Sequence, residues 1–229
     1  MKILAVETST DACSAALFVD GQIREQFKIA PREHTKLILP MIDSLMADAG
    51  LRPQQLDAIA LSRGPGSFTG VRIATGVVHG IALGADLPVA MVSTLASMAQ
   101  DYFNRHAVAK MAFTALDARM EEIFWGVYRR DELGLAELHG DEAVTPAGEV
   151  IFPDQDGFGV GSGWGAYPEI LSARIGHRLQ GSDSEVWPRA ACIAQLGAHA
   201  HAQGLSVAVE QAMPVYLRDK VAKKQSERN

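Results

Sequence analysis

From Phe68 to Gly84 the only clearly polar side chains are Thr69, Arg72, Thr75 and His79, in a segment with helical spacing. At about 100° per residue the last three fall in one narrow sector, so the helix is close to apolar all round. Such a helix has to be covered on every side, by its own fold or by a partner. Gly76, Gly80 and Gly84 recur at four-residue intervals along it, forming a groove without side chains where another backbone can approach. Each glycine costs a helix about 1 kcal/mol relative to alanine, so three in register call for a compensating contact. Two contacts fit the pattern: packing on strands of the same fold, or a seam with a second protein.

The segments around this helix alternate in period. "KILAVETS" (2–9) reads as a buried strand, and 13–29 as two strands turning at Asp20-Gly21. Apolar spacing becomes helical from Glu33 to Ala49, with Pro40 as an expected kink and Gly50 as the stop. A strand at 56–62, the glycine turn, the long helix and a strand at 88–92 complete a β-β-β-α-β-α-β order. That order is the half-domain of the actin, Hsp70 and sugar-kinase superfamily. In the Glu33–Ala49 helix, Leu37, Ile38, Leu39, Met41, Ile42, Leu45, Met46 and Ala49 span roughly 200°, where a helix lying on a core needs about 100°. The excess points to a helical protein-protein surface made from both helices, with Leu37, Ile38, Met41, Ile42, Leu45, Arg72, Thr75, Gly76, His79 and Gly80 as candidate contacts.

The second half repeats the theme more weakly. Residues 109–118 and 121–130 read as a strand pair turning near Arg119 to Glu121, followed by a loop-rich stretch to about Asp156. A strand then enters the glycine turn "GVGSGWG", and a helix covers about Ala190 to Gln203. A linker near 101–109 divides an expected first sub-domain, 1–100, from a smaller second one, 101–218, leaving 219–229 as a basic tail.

"GPGSFTG" lies between strand and helix, the setting in which backbone N–H groups hold phosphate. It fails the sharper tests: Val71-Arg72 follow Gly70 where a Walker loop needs Lys-Ser/Thr, and Thr69 replaces the last glycine of a dinucleotide fingerprint. A structural turn with Ser67 as helix N-cap is the plainer reading. In "VETSTDACS", Glu7 and Ser9 stand where an actin-like phosphate hairpin has Asp and Gly, which counts against phosphoryl transfer. Ser9, Thr10, Gly64, Gly66 and Ser67 are therefore only weak candidates for a nucleotide at an interface.

Cys13 and Cys192 have no ligand spacing and read as buried inert thiols, and the seven histidines form no metal pair. The adjacent acids Glu121-Glu122 and Asp141-Glu142 read as solvated turns. No catalytic residue, metal ligand or cofactor is expected. With 48% hydrophobic and 21% charged residues the composition is that of an ordinary globular protein. The apolar run before Glu7 is too short for a signal peptide or a membrane span, so no membrane partner and a cytoplasmic location are expected. The net charge of -6 excludes a general nucleic-acid footprint. The end of the chain, with Arg218, Lys220, Lys223, Lys224 and Arg228 against Asp219 and Glu227, reads as a solvated tail, with a secondary contact to RNA phosphates as the alternative.

"ETSTDACSAAL", "EHTKLILPMI", "GPGSFTGVRIATGVVHGIA", "LDARMEEIFWGVY" and "MPVYLRD" occur in this order over most of the chain. Together they resemble the TsaB (YeaZ) family. The resemblance implies an α/β, actin-like ASKHA (ribonuclease H-like) fold of two sub-domains with mixed sheets flanked by helices. It implies an accessory, dimerisation role in forming N6-threonylcarbamoyladenosine in tRNA, by docking on a TsaD-type paralogue, the transferase, together with a TsaE-type ATPase. Self-association when alone, and contact with tRNA only through the complex, are further implications. The paralogue carries two metal-binding histidines where this chain has Thr94 and Met98 in "VSTLASM", and neither side chain replaces imidazole at such a site. An autonomous nucleotide- or metal-dependent enzyme of the same fold, a phosphotransferase or peptidase-like hydrolase, is the alternative.

Overall fold

Alternation along the first strand dictates how the layers stack. In β1 (Lys2–Glu7), Ile3 and Ala5 point to one side of a sheet and Leu4 and Val6 to the other, all buried. A strand buried on both faces has to lie inside a sheet covered twice. In the computed structural model, which describes residues 1–218, this is what is seen. The basic segment 219–229 lies outside the described residues.

β1 is followed by β2 (Ala12–Val19), β3 (Gln22–Ile29), α1 (His34–Asp48), β4 (Ala58–Ser62), α2 (Phe68–Ala85), β5 (Val89–Val92) and α3 (Thr94–Arg105). The five strands pair in the order β3-β2-β1-β4-β5, antiparallel through β3-β2-β1 and parallel through β1-β4-β5. Both Asp20 and Gly21 have positive φ, as a tight hairpin turn between β2 and β3 requires.

The second half contains β6 (Met111–Asp117), β7 (Glu122–Arg130), β8 (Ala136–Leu138), β9 (Ala143–Pro146), β10 (Gly157–Val160), α4 (Ser162–Ala166), α5 (Pro168–Ile175), β11 (Leu179–Asp183) and α6 (Ala190–Ala202). Its sheet runs β8-β7-β6-β10-β11, with β9 also on β7. β7 is antiparallel to β6 and β8, and β6, β10 and β11 are parallel. The two halves thus repeat one topology, each around its own sheet.

α1 and α2 cover one face of the first sheet through Leu4, Val6, Leu17, Ile59 and Leu61. The other face is lined by Ala5, Ala16, Ala58, Ala60 and Ala90 and receives α6, from the far end of the chain. Those alanines allow a close approach: a β-carbon on Gly197 of α6 would lie 2.5 Å from that of Ala60. α3 packs on the inner face of the second sheet and against α6. The outer face of that sheet is closed by Trp164, Leu171 and Ile175 over Phe113 and Trp125.

Three expectations are corrected. The linker expected at 101–109 is in part helix: α3 continues to Arg105, and Tyr102 and Phe103 are buried between the sheets. The stretch expected to be loop-rich up to Asp156 holds β8 and β9, which are too short to show alternation. Arg218 is no part of a solvated tail, because it bonds the Glu122 carboxylate and the Ala118 carbonyl of the second half.

Candidate docking face and adjoining cleft

The residues expected to form a partner surface separate cleanly. On α1, Ile38, Met41, Ile42 and Leu45 are buried, Leu45 with 4% of its surface exposed, and only Leu37 is even half exposed. Most of the apolar surface inferred for this helix is used at home, although Leu39 of the same arc stays 54% exposed. α1 lies in the angle between β2, β3 and α2, and a helix touching a sheet and a neighbouring helix needs a wider apolar arc than one resting on a sheet alone. Its outward residues include Lys36, Leu39, Pro40 and Asp43.

α2 is different. Val71, Ala74, Val78 and Ala82 point inward onto β1 and β4. Thr75 is buried, its hydroxyl donating to the Val71 carbonyl at 2.9 Å. His79 is half-buried, with Nε2 at 2.8 Å from the Ala212 carbonyl. On the outer face a β-carbon built on Gly76, Gly80 or Gly84 meets nothing within 4 Å. The choice left open by the sequence is thereby made: the three glycines do not serve packing on the sheet. Half-buried Ile73, Val77 and Ile81 and the exposed Leu83, at 72%, flank them. By length and composition α2 would suffice to cross a membrane, yet a third of it is buried and its inner face fills the position of a core helix.

The glycine turn before α2 does a different job from its outer stripe. A β-carbon on Gly66 would lie 2.4 Å from the Ser9 carbonyl, and one on Gly70 2.1 Å from that of Thr8. These glycines let the first turn of α2 sit on the backbone of the β1–β2 hairpin. Ser67 N donates to the Ser9 carbonyl at 2.7 Å, and the Thr8 hydroxyl to the Gly70 carbonyl at 2.7 Å. The corner where a phosphate would nestle is thus packed with protein backbone. Ser67 caps the helix as expected, its hydroxyl accepting from Gly70 N.

Beside this corner, between the two halves, opens a cleft of about 630 Å³. Ser9, Thr10, Gly66 and Ser67 of the weak nucleotide set line it, whereas Gly64 does not and lies under the Val215 carbonyl. The opposite wall comes from Leu116 to Arg119 and Ser162, and residues 215–218 border the opening. At the hairpin tip in that wall Arg119, Met120 and Glu121 all have positive φ, a costly conformation for side chains other than glycine.

Two buried polar clusters flank the cleft region. The Glu7 carboxyl is fully buried; its Oε1 accepts from Ser9 N and Ser9 Oγ, both at 2.5 Å. Ser62 lies beside it, but Oε2 has no well-aligned partner. Burial raises the Glu7 carboxyl above its ordinary value of 4.5 against the lowering pull of those hydroxyls. Thr94 closes the cluster, 3.0 Å from Ser62 Oγ and 3.1 Å from Ser9 Oγ. Met98 is fully buried. The second cluster overturns an expectation: Glu142, which the sequence presents as part of a solvated turn, has a side chain only 5% exposed that accepts from Ser93, Tyr128 and, at 3.2 Å, Arg63. Nothing in the sequence around "GDEAV" marks it, since its partners come from three distant segments. Burial and the neighbouring Glu142 push the Tyr128 hydroxyl well above its ordinary value.

Cys13 and Cys192 are free and buried; burial pushes the Cys13 thiol up to about 11. Among the described residues no group of three or more His, Cys, Asp or Glu side chains is placed to hold a metal ion.

Comparison with known proteins agrees with this geometry. The family model for TsaD, tRNA N6-adenosine threonylcarbamoyltransferase, matches residues 26–226. The tRNA threonylcarbamoyladenosine biosynthesis protein TsaB of Escherichia coli (strain K12) is 42% identical, over 97% of this chain and 96% of that protein. TsaB of Haemophilus influenzae is 37% identical over 96% and 95%. The solved structure of YeaZ from Pseudomonas aeruginosa superposes with a TM-score of 0.88 at 43% identity, covering 94% of this chain and 99% of that one.

Proposed function

The chain belongs to the TsaB (YeaZ) family, with its actin-like ASKHA fold, and on that footing we propose that it is the accessory subunit of tRNA threonylcarbamoyladenosine biosynthesis that docks on a TsaD-type transferase. The observation that carries this reading is the outer face of α2: three glycines at four-residue spacing open to solvent, flanked by apolar side chains. Glycines that cost helix stability and gain no contact within the chain fit a surface made for close approach by another helix. Work on tRNA puts the protein in the cytoplasm, with a TsaE-type ATPase as a further partner of the assembly and a second copy as the partner in isolation.

In this reading the chain performs no chemistry. Thr94 and Met98, where the resembled paralogue has its histidine pair, are buried in hydrogen bonds and in the core. An autonomous enzyme is not favoured by the family assignment. A nucleotide that regulates assembly is a second reading, supported by the cleft that Ser9, Thr10, Gly66 and Ser67 share. Calorimetry with ATP and magnesium, on the chain alone and on the assembled pair, distinguishes the two: binding to the chain alone with turnover restores the enzyme, and binding only to the pair supports regulation.

The docking test is Gly80→Leu, which fills the groove without touching the core. Loss of co-purification with the TsaD-type chain, at a thermal stability no lower than the parent's, is the expected outcome. Leu45→Glu, attractive from sequence, is no such test, because Leu45 is core and a charge there unfolds the chain.

A further inference from the structure

Arg72 is the one charged residue between Phe68 and Ala85, and its position is unusually fixed. Its guanidinium carbon lies 3.2 Å from the centroid of the Phe68 ring and 4.9 Å from that of Tyr216. One terminal nitrogen donates to the Phe68 carbonyl at 3.2 Å. Both rings are about half exposed, 56% for Phe68 and 48% for Tyr216. Tyr216 is itself held, because the segment carrying it is tied on either side. Val215 N donates to the Arg63 carbonyl at 2.9 Å, and Arg218 bonds Glu122 and the Ala118 carbonyl. Among the described residues no carboxylate lies within ion-pair distance of Arg72.

Phe68, Arg72, Gly76, Gly80 and Gly84 follow one another at four-residue spacing, so the aromatic contact is the continuation of the glycine groove. A partner helix lying along this row covers Arg72 together with the groove. A guanidinium taken out of water without a counter-charge is strongly unfavourable, whereas one met by a carboxylate gains a bidentate pair in fixed geometry. Because cation–π contacts already hold it, little side-chain freedom is lost when that pair forms. Within α2 two copies docked face to face bring no carboxylate, the nearest in sequence being the exposed Asp86 at its C-cap. A related chain of different sequence is free to supply one.

We propose that Arg72, packed against Phe68 and Tyr216, anchors the docking face, and that the TsaD-type chain meets it with a carboxylate. The proposal rests on the docking reading above and extends its surface onto the segment that borders the cleft. The experiment is calorimetric titration of the purified chain with the TsaD-type paralogue of the same organism, at low and at moderate sodium chloride. Arg72→Ala is expected to weaken binding at least ten-fold and to flatten its salt dependence. Arg72→Lys recovers part of the loss, and Tyr216→Ala weakens binding several-fold while keeping the salt dependence. If Gly80→Leu abolishes docking but Arg72→Ala changes neither affinity nor salt dependence, the anchor is overturned and the docking face stands. If Gly80→Leu is without effect, both fall. An Arg72→Ala defect confined to self-association overturns the choice of partner. A defect confined to tRNA binding by the assembled pair overturns the carboxylate in favour of an RNA contact.

Discussion

Glu7 shows how a single residue records what this corner of the fold can do. Its position at the end of the first strand was legible in the sequence, and so was its replacement of the aspartate of a phosphate hairpin. Its burial was not, because the wall around it comes from Ser62 and Thr94, far along the chain. Burial raises the carboxyl in the folded state above its ordinary value near 4.5, so the folded protein binds this proton more tightly than the unfolded chain. Glu7's contribution to stability is then fully present below that value and is lost as pH rises through the folded-state one. Glu7→Gln cannot ionise and escapes the loss. Urea melts between pH 4 and 8 should show the variant gaining on the parent as pH rises; a difference that does not change with pH contradicts a raised Glu7. Gly70 is the complementary case. A β-carbon there meets the Thr8 carbonyl at 2.1 Å, so Gly70→Ala is expected to cost about 3 kcal/mol in the same melts, near the upper end of overpacking penalties.

Along α2 and the turn that leads into it the same residue type has two opposite meanings, and only the structure separates them. Gly66 and Gly70 admit a neighbouring backbone, while Gly76, Gly80 and Gly84 face open solvent. Spacing made both groups visible in the sequence, but it could not assign a side, because a helix apolar all round has no polar face to mark the outside. α1 misled for a related reason. Its broad apolar arc is legible in the sequence, but what covers that arc is not, since the angle it occupies between sheet and α2 is a tertiary fact. Gly80→Ala provides the element-scale prediction. With no neighbour to clash and better helix propensity, it should stabilise the isolated chain by up to about 1 kcal/mol while weakening docking. Unfolding curves and a binding titration on one preparation check the two halves of that statement.

At the scale of the molecule, the order β-β-β-α-β-α-β and the TsaB-like motifs were enough to reach the fold, and the second copy of the topology was visible only as a weak echo. Short strands such as β8 and β9 carry too few residues to display a period. The packing of α6 on the first sheet joins chain segments that no local pattern connects. The two halves are braced where Glu142 of the second reaches Arg63 and Ser93 of the first. Glu142→Ala strands Tyr128, Ser93 and Arg63 without their acceptor, and is expected to cost about 2 to 3 kcal/mol in thermal or chemical denaturation. A loss below half a kcal/mol would show the brace to be idle. α1, β1 and β4 seat α2 with its glycine face outward. The most direct measurement of that face's role is threonylcarbamoylation of tRNA by the TsaD-type paralogue and its other partners, reconstituted with this chain or with its Gly80→Leu variant. Docking through α2 requires that the variant, folded and melting no lower than the parent, leaves modification at the level seen with the chain omitted; full modification with Gly80→Leu would contradict it.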